Sequence, residues 1–287
     1  MTLSPPTVTV VSVEREVRGD LGGRLDTSTP NVARMNHHFL GGRETFQADR
    51  DAAEQVLAAL PGMRAAALAG RDFIGRAVRY LAGEAGVDQF LDLGTGLPAA
   101  PAVHEIAQGV NPAARVAYVD FDPVVVSHGN AMLARPGVAV VVRGDLRGPA
   151  ELLTRPEIGA HLDFGRPAAV LLVSVLAFVA DADDPYAIVA ALRRALAPGS
   201  FLVISHVGAD LLPDPAAGRR LVAAYEKANA PVAPRTRAQV LRFFDGFELV
   251  EPGLVPKPRW RPDGQGPGSG AQASDIDWCG VGLLAPG

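Results

Sequence analysis

From residue 89 to residue 205 short runs of Val, Ile, Leu and Phe take turns with stretches of helical spacing. The apolar runs are Phe90-Leu91-Asp92-Leu93, Arg115 to Asp120, Val138 to Val142, Ala168 to Ser174 and Phe201 to Ser205. Helical stretches run from Pro98 to Gln108, Pro123 to Ala134 and Pro185 to Leu196. Each opens on proline, whose missing N–H costs nothing in a first helical turn. Continuous apolar runs belong to strands buried on both faces, and strands that alternate with helices pair in parallel. The pattern therefore predicts an α/β fold with a doubly wound, mostly parallel sheet.

Around this repeat the chain divides into three parts: an irregular arm over residues 1–27, a helical segment over 28–83 that serves as a lid, and an α/β domain over 84–287. Ser28-Thr29-Pro30 reads as a helix start with Pro30 in the first position, and Gly41-Gly42 as its end. A second helix is expected from Glu44 to Leu60 and a third from Met63 to Ala82, where Phe73, Ile74, Ala77, Val78 and Leu81 share a face. After the repeat come helices at Ala216 to Asn229 and Thr236 to Phe244, a strand at Phe247 to Val250, a loop over Pro252 to Gly270, and a last strand at Trp278 to Leu284.

Composition narrows the function. With 31 acidic against 27 basic side chains the net charge is −4 and there is no Lys/Arg run, so nucleic acid is not an expected partner. The apolar stretch Ala168 to Ala180 falls short of the roughly 20 residues that cross a bilayer. The single cysteine, Cys279, excludes an intrachain disulfide, which suggests the cytoplasm. No histidine has metal-site spacing to other ligands, so no metal is expected.

The turn Asp92-Leu93-Gly94-Thr95-Gly96 follows the first strand. Glycines one residue apart allow positive φ and a close backbone approach to a ligand, with the next helix offering free N–H groups. Gly94-x-Gly96-x-x-Ala99 also fits a dinucleotide site. Asp92 stands inside an apolar strand, where a carboxylate is costly unless something satisfies it. Asp120 ends the second strand, placed for a ribose diol, and Asp145 follows the third in Arg143-Gly144-Asp145-Leu146. Three acids at one sheet edge point to a ligand there.

These residues resemble the class I methyltransferases that use S-adenosylmethionine. The resemblance implies a Rossmann-like sheet and that cofactor, with Gly94 and Gly96 facing its methionine half and Asp92 supporting that end. It further implies Asp120 on the ribose hydroxyls, Asp145 on the adenine amino group, Leu146 beside the ring and Phe121 against it, and Ser174 and Val175 flanking the sulfonium. From residue 28 onward the chain looks like an actinobacterial family of such enzymes. The matching strings are Phe39-Leu40-Gly41-Gly42-Arg43, Phe46-Gln47-Ala48-Asp49-Arg50, Tyr118-Val119-Asp120-Phe121-Asp122-Pro123, Asp181-Ala182-Asp183-Asp184-Pro185-Tyr186 and Pro252-Gly253-Leu254-Val255-Pro256. It departs where that family has Tyr-Asp-Tyr, here Asn36-His37-His38, and where it has Val-Leu-His, here Val175-Leu176-Ala177.

Among the six histidines, His104, His128 and His161 read as packed or surface residues. His37, His38 and His206 are expected near the reacting group, because an imidazole titrating near pH 6.5 serves as a base at neutral pH. The expected reaction is methyl transfer to an oxygen or nitrogen of a small molecule, with orientation and exclusion of water as the protein's main contribution. The alternatives are a non-methylating step on the same cofactor, such as cyclisation, a nicotinamide oxidoreductase, and a non-catalytic cofactor-binding protein.

Overall fold

The computed structural model describes residues 26–264 and 275–285. Nearly all of the expected N-terminal arm, and residues 265–270 of the expected loop, lie outside the described residues. Helices α1 (Val32–Phe39), α2 (Gln47–Ala59) and α3 (Met63–Gly83) come first. The repeat follows as β1 (Gln89–Leu93), α4 (Val103–Gln108), β2 (Arg115–Asp120), α5 (Pro123–Met132), β3 (Ala139–Arg143), α6 (Pro149–Leu153), α7 (Pro156–Gly159), β4 (Ala169–Val173), α8 (Pro185–Ala195) and β5 (Phe201–Val207). The tail adds α9 (Pro215–Tyr225), α10 (Arg237–Leu241), β6 (Glu248–Leu249), β7 (Val255–Pro256) and β8 (Asp277–Leu283).

Among the described residues one sheet carries all eight strands in the order β3-β2-β1-β4-β5-β8-β6, with β7 also on β8. Strands β1 to β5 are mutually parallel, and β8 joins antiparallel to β5 with Asp277 opposite Val207. The order reverses between β1 and β4, where open α/β sheets bind their ligands. The start of β8 thus lies at the edge where the parallel strands end.

Alternation along the strands sends side chains to two cores. Leu91, Leu93, Val119, Val170 and Leu202 pack under Ile188, Val189 and Leu192 of α8. Phe90, Val116, Tyr118, Leu171 and Val203 pack under Phe73, Ala77, Val78 and Leu81 of α3, with Trp260 edge-on to Phe73 at 5.5 Å. A third cluster stands over the strand ends, where Met35 and Phe39 of α1, Ala53 and Val56 of α2 and Leu221 and Tyr225 of α9 meet Ala177 and Val207. Helices α1 and α2 therefore cap the edge, whereas most of α3 covers the sheet itself.

Several boundaries move for local reasons. Helix α1 begins after Asn31, whose side chain accepts from the Ala33 and Arg34 N–H groups. Pro30 offers no such acceptor and instead gives its carbonyl to Asn229 N–H. Helix α2 starts after Phe46, whose N–H donates to Asp49, while Glu44 is drawn to His37. Only Val103 onward is helical in the stretch from Pro98, because Pro101 disfavours helical backbone at Ala100. No helix N-terminus therefore stands directly behind the glycine turn. Strand β5 runs two residues past Ser205, which puts His206 inside the sheet.

Candidate functional site

A cavity of about 280 Å³ opens along the strand ends between the sheet and the cap of α1, the start of α3 and α9. On the β1–β3 side it is lined by Gly94, Thr95, Gly96, Asp120, Phe121, Asp145 and Leu146. Gly94 and Gly96 have φ of +70° and +68°, a region L side chains rarely occupy. A Cβ on Gly94 would also strike Val175 at 2.3 Å, whereas one on Gly96 would meet only open space.

Asp120 is the best-built acceptor here. It is buried, and its two oxygens accept from Gly96 N–H and Asp122 N–H at 3.0 Å each. Burial pushes its carboxyl up to about 6, against the lowering effect of those N–H groups. Phe121, next in the chain, is 42 % exposed and lines the cavity, a large flat side chain left for something to cover. Asp145 is half exposed and gripped by Arg147 at 2.6 Å, which holds its carboxyl below the usual range. Its loop is fixed to the neighbouring strand by Gly144 N–H to the Asp120 carbonyl at 3.0 Å.

Asp92 stands behind the glycine turn and does not line the cavity. It accepts from Thr95 Oγ1 at 2.9 Å, and burial raises its carboxyl to about 6 while the nearby Arg71 draws it down. At the order reversal, Ser174 (φ +61°) and Val175 close the wall, with Ser174 Oγ at 3.0 Å from Ser205 Oγ. Beyond them the cavity continues over β4, β5 and β8 as a mainly apolar chamber. Phe39, Ala177, Phe178, Val207, Leu221 and Tyr225 line it.

The three histidines separate. His37 lines the cavity, with Nε2 at 2.5 Å from Glu44 Oε2 and Nδ1 buried without a partner among the described residues. A Cβ on Gly42 would fall 1.9 Å from its ring, so the second glycine of Leu40-Gly41-Gly42 is the space in which His37 sits. His38 is not in the lining; it points away to Glu54 at 3.0 Å and Arg64 at 3.4 Å. His206 is fully buried and off the cavity, with Nδ1 at 2.9 Å from the Val207 carbonyl and Nε2 at 2.9 Å from Arg235. Burial lowers its imidazolium to about 4. The expectation of a reacting role fails for His38 and His206, because one sits on the outer face and the other is a packed strand residue.

A model of the S-adenosyl methyltransferase family matches residues 19–285. The chain belongs to that family. Solved structures agree. A Thermobifida fusca protein described as a methyltransferase is 40 % identical, with 91 % of this chain and 97 % of that one covered at a TM-score of 0.83. A DUF574 family protein from Streptomyces avermitilis is 37 % identical, with 92 % and 100 % covered at 0.85. No curated protein matches. The protein is therefore an S-adenosylmethionine-dependent methyltransferase with the Rossmann-like fold of class I, and the nicotinamide reading is set aside.

The methyltransferase site also rests on charged residues that periodicity does not reveal. Arg34 Nε pairs with Asp49 at 2.7 Å, Asp49 accepts from Asn31 N–H at 2.8 Å, and the Asn31 amide donates to Asp122, all buried. Asp122 caps α5 beside Asp120, so this chain of contacts ties the cap helices to the Asp120 turn. Arg235, buried, donates to the carbonyls of Leu176 and Val179 and pairs with Asp181 at 2.5 Å, fixing the segment after β4. Arg71 lines the cavity and donates to the Ala99 carbonyl at 3.0 Å. Their only sequence signal was charge among apolar neighbours and, for Asp49, Asp122 and Asp181, a place in the strings shared with the family.

Proposed function

We propose that this methyltransferase moves the sulfonium methyl group to an oxygen or nitrogen of a small molecule held in the chamber over β4, β5 and β8. The observation that carries this is the division of one cavity at the β1/β4 reversal: polar groups shaped for a nucleoside on one side, an apolar recess on the other. The cofactor when bound supplies an activated methyl group and its own leaving group, so the chain needs to orient, dry the site and accept at most one proton. On this reading Asp120 accepts the ribose hydroxyls, Phe121 and Leu146 hold the adenine and Asp145 its amino group. Gly94 and Gly96 leave room for the methionine end, which Asp92 supports through Thr95. Ser174 and Val175 border the sulfur. Helices α1 and α2 close over the bound cofactor, and the net charge of −4 disfavours a nucleic-acid acceptor.

On this reading His37, the one of the three expected histidines that lines the cavity, is the residue to test as the acceptor's base, with Glu44 holding its Nε2. The test is product analysis with candidate acceptors by mass spectrometry. Methyl transfer predicts S-adenosylhomocysteine formed in step with a product heavier by one methyl; cofactor turnover without a methylated product would mean a non-methylating reaction. His37→Ala should keep cofactor affinity and lose about 10²–10⁴-fold in kcat if it is a general base. A change confined to KM would leave it a pocket-shaping residue.

A further inference from the structure

In the apolar recess lies one buried ion pair. Lys257 and Asp277 both line the cavity, and their side chains are only 3 % and 9 % exposed. Lys257 Nζ stands 2.8 Å from Asp277 Oδ2 and donates to the Ala66 carbonyl at 3.1 Å. The pair is assembled from three places: the turn after β7, the first residue of β8 and the start of α3. Room for the amine comes from Gly70, where a Cβ would stand 3.3 Å from Nζ. Tyr225 and Val207 flank the pair's part of the cavity, and the Asp277 charge adds to burial in raising the Tyr225 phenol.

Placing a full ion pair against an apolar pocket is a cost that a hydrophobic pair of similar volume would avoid. Its value is chemical capacity. An ammonium has three donors, of which the carbonyl and the carboxylate take two, and a carboxylate offers about four acceptor positions. The pair thus presents a donor next to an acceptor, with no net charge. An anionic acceptor would have to compete with Asp277 for the lysine, and a cation with Lys257 for the carboxylate. A hydroxyl satisfies both at once, accepting from Nζ–H and donating to the carboxylate.

From this we infer that Lys257 and Asp277 are the acceptor-recognition pair, and that the acceptor is an uncharged, mostly apolar molecule carrying an alcohol or phenol hydroxyl that docks between them. The inference rests on the proposed small-molecule reading and specifies its substrate class. The docked hydroxyl is an anchor, and no proton is transferred at the pair.

The test uses the full chain saturated with S-adenosylhomocysteine and three matched probes: 4-propylphenol, 4-propylanisole and 4-propylbenzoate, with binding followed by ligand-observed NMR. Wild type should prefer the phenol over the anisole by about 10-fold, since a site built for a hydroxyl rejects the analogue lacking it. The double substitution Lys257→Met with Asp277→Leu replaces both charges by apolar volume and so keeps the fold. It should erase or invert that preference while S-adenosylhomocysteine affinity stays the same. A purely structural pair would leave the ratio unchanged, and that result overturns the inference, as would tighter binding of the benzoate or no binding of the phenol. If S-adenosylhomocysteine itself fails to bind wild type, the cofactor assignment fails instead.

Discussion

Asp120 shows how a single residue carries both legible and hidden information. Its place at the end of the second strand is readable from sequence, because an acid closing a Val/Tyr run has few structural reasons to be there. Its burial, and the two N–H groups that hold its oxygens, come from the folding of the glycine turn against β2. Losing charge-assisted bonds of about 1.5–3 kcal/mol each should cost Asp120→Ala at least a 10-fold loss in S-adenosylhomocysteine affinity, as read by calorimetry. Unchanged affinity in a folded variant would remove the ribose assignment. The raised pKa values of two buried carboxyls give a second check. Asp92 and Asp120 titrate near 6 in the folded protein and near 3.8 when unfolded, so the native state keeps two protons that the unfolded chain has lost in that interval. Their contribution to stability therefore falls as pH rises from about 4 to about 6 and levels off above. Thermal denaturation across that window should show a shallower fall in Asp120→Asn than in wild type. Conversely, His206 illustrates what spacing misreads. Two more residues of strand turned an edge histidine into a buried partner of Arg235.

At the scale of elements, helices with a strong apolar face and strands with unbroken Val/Leu runs were readable almost to the residue: Met63 begins α3, and Arg115 to Asp120 is β2. Starts governed by side-chain capping were not: the cap of α1 is Asn31, whose side chain accepts from the Ala33 and Arg34 N–H groups, and not the Ser28-Thr29 pair ahead of Pro30. The cap helices are held by a buried charge network rather than by apolar area alone. Asp49→Ala would leave Arg34 buried without its closest carboxylate, which should destabilise the chain by about 3–5 kcal/mol in denaturant unfolding, well above a surface substitution. Because Asn31 bridges this network to Asp122, filling the cofactor side should also quiet the cap. Hydrogen exchange over residues 30–50 is expected to slow when S-adenosylhomocysteine is added, and equal exchange with and without it would count against closure.

For the whole molecule, the parallel order of β1 to β5 follows from short helical crossovers, and it was legible from the alternation of strand and helix. The division of labour along the strand ends was only half legible. Glycines and acids mark the β1–β3 side in sequence, whereas the opposite side is assembled from α1, α3, α9, β7 and β8, segments as far apart as Ala66 and Asp277, whose meeting no local pattern encodes. That division places the cofactor on one side of the β1/β4 reversal and the acceptor on the other. A crystal structure with S-adenosylhomocysteine measures it directly. The ribose hydroxyls should lie within hydrogen-bond distance of Asp120 and the adenine against Phe121. The sulfur should face the Ser174–Ala177 wall, with the recess around Lys257 and Asp277 left open beyond it. Electron density for the cofactor in that recess, or a ribose that does not reach Asp120, would contradict it.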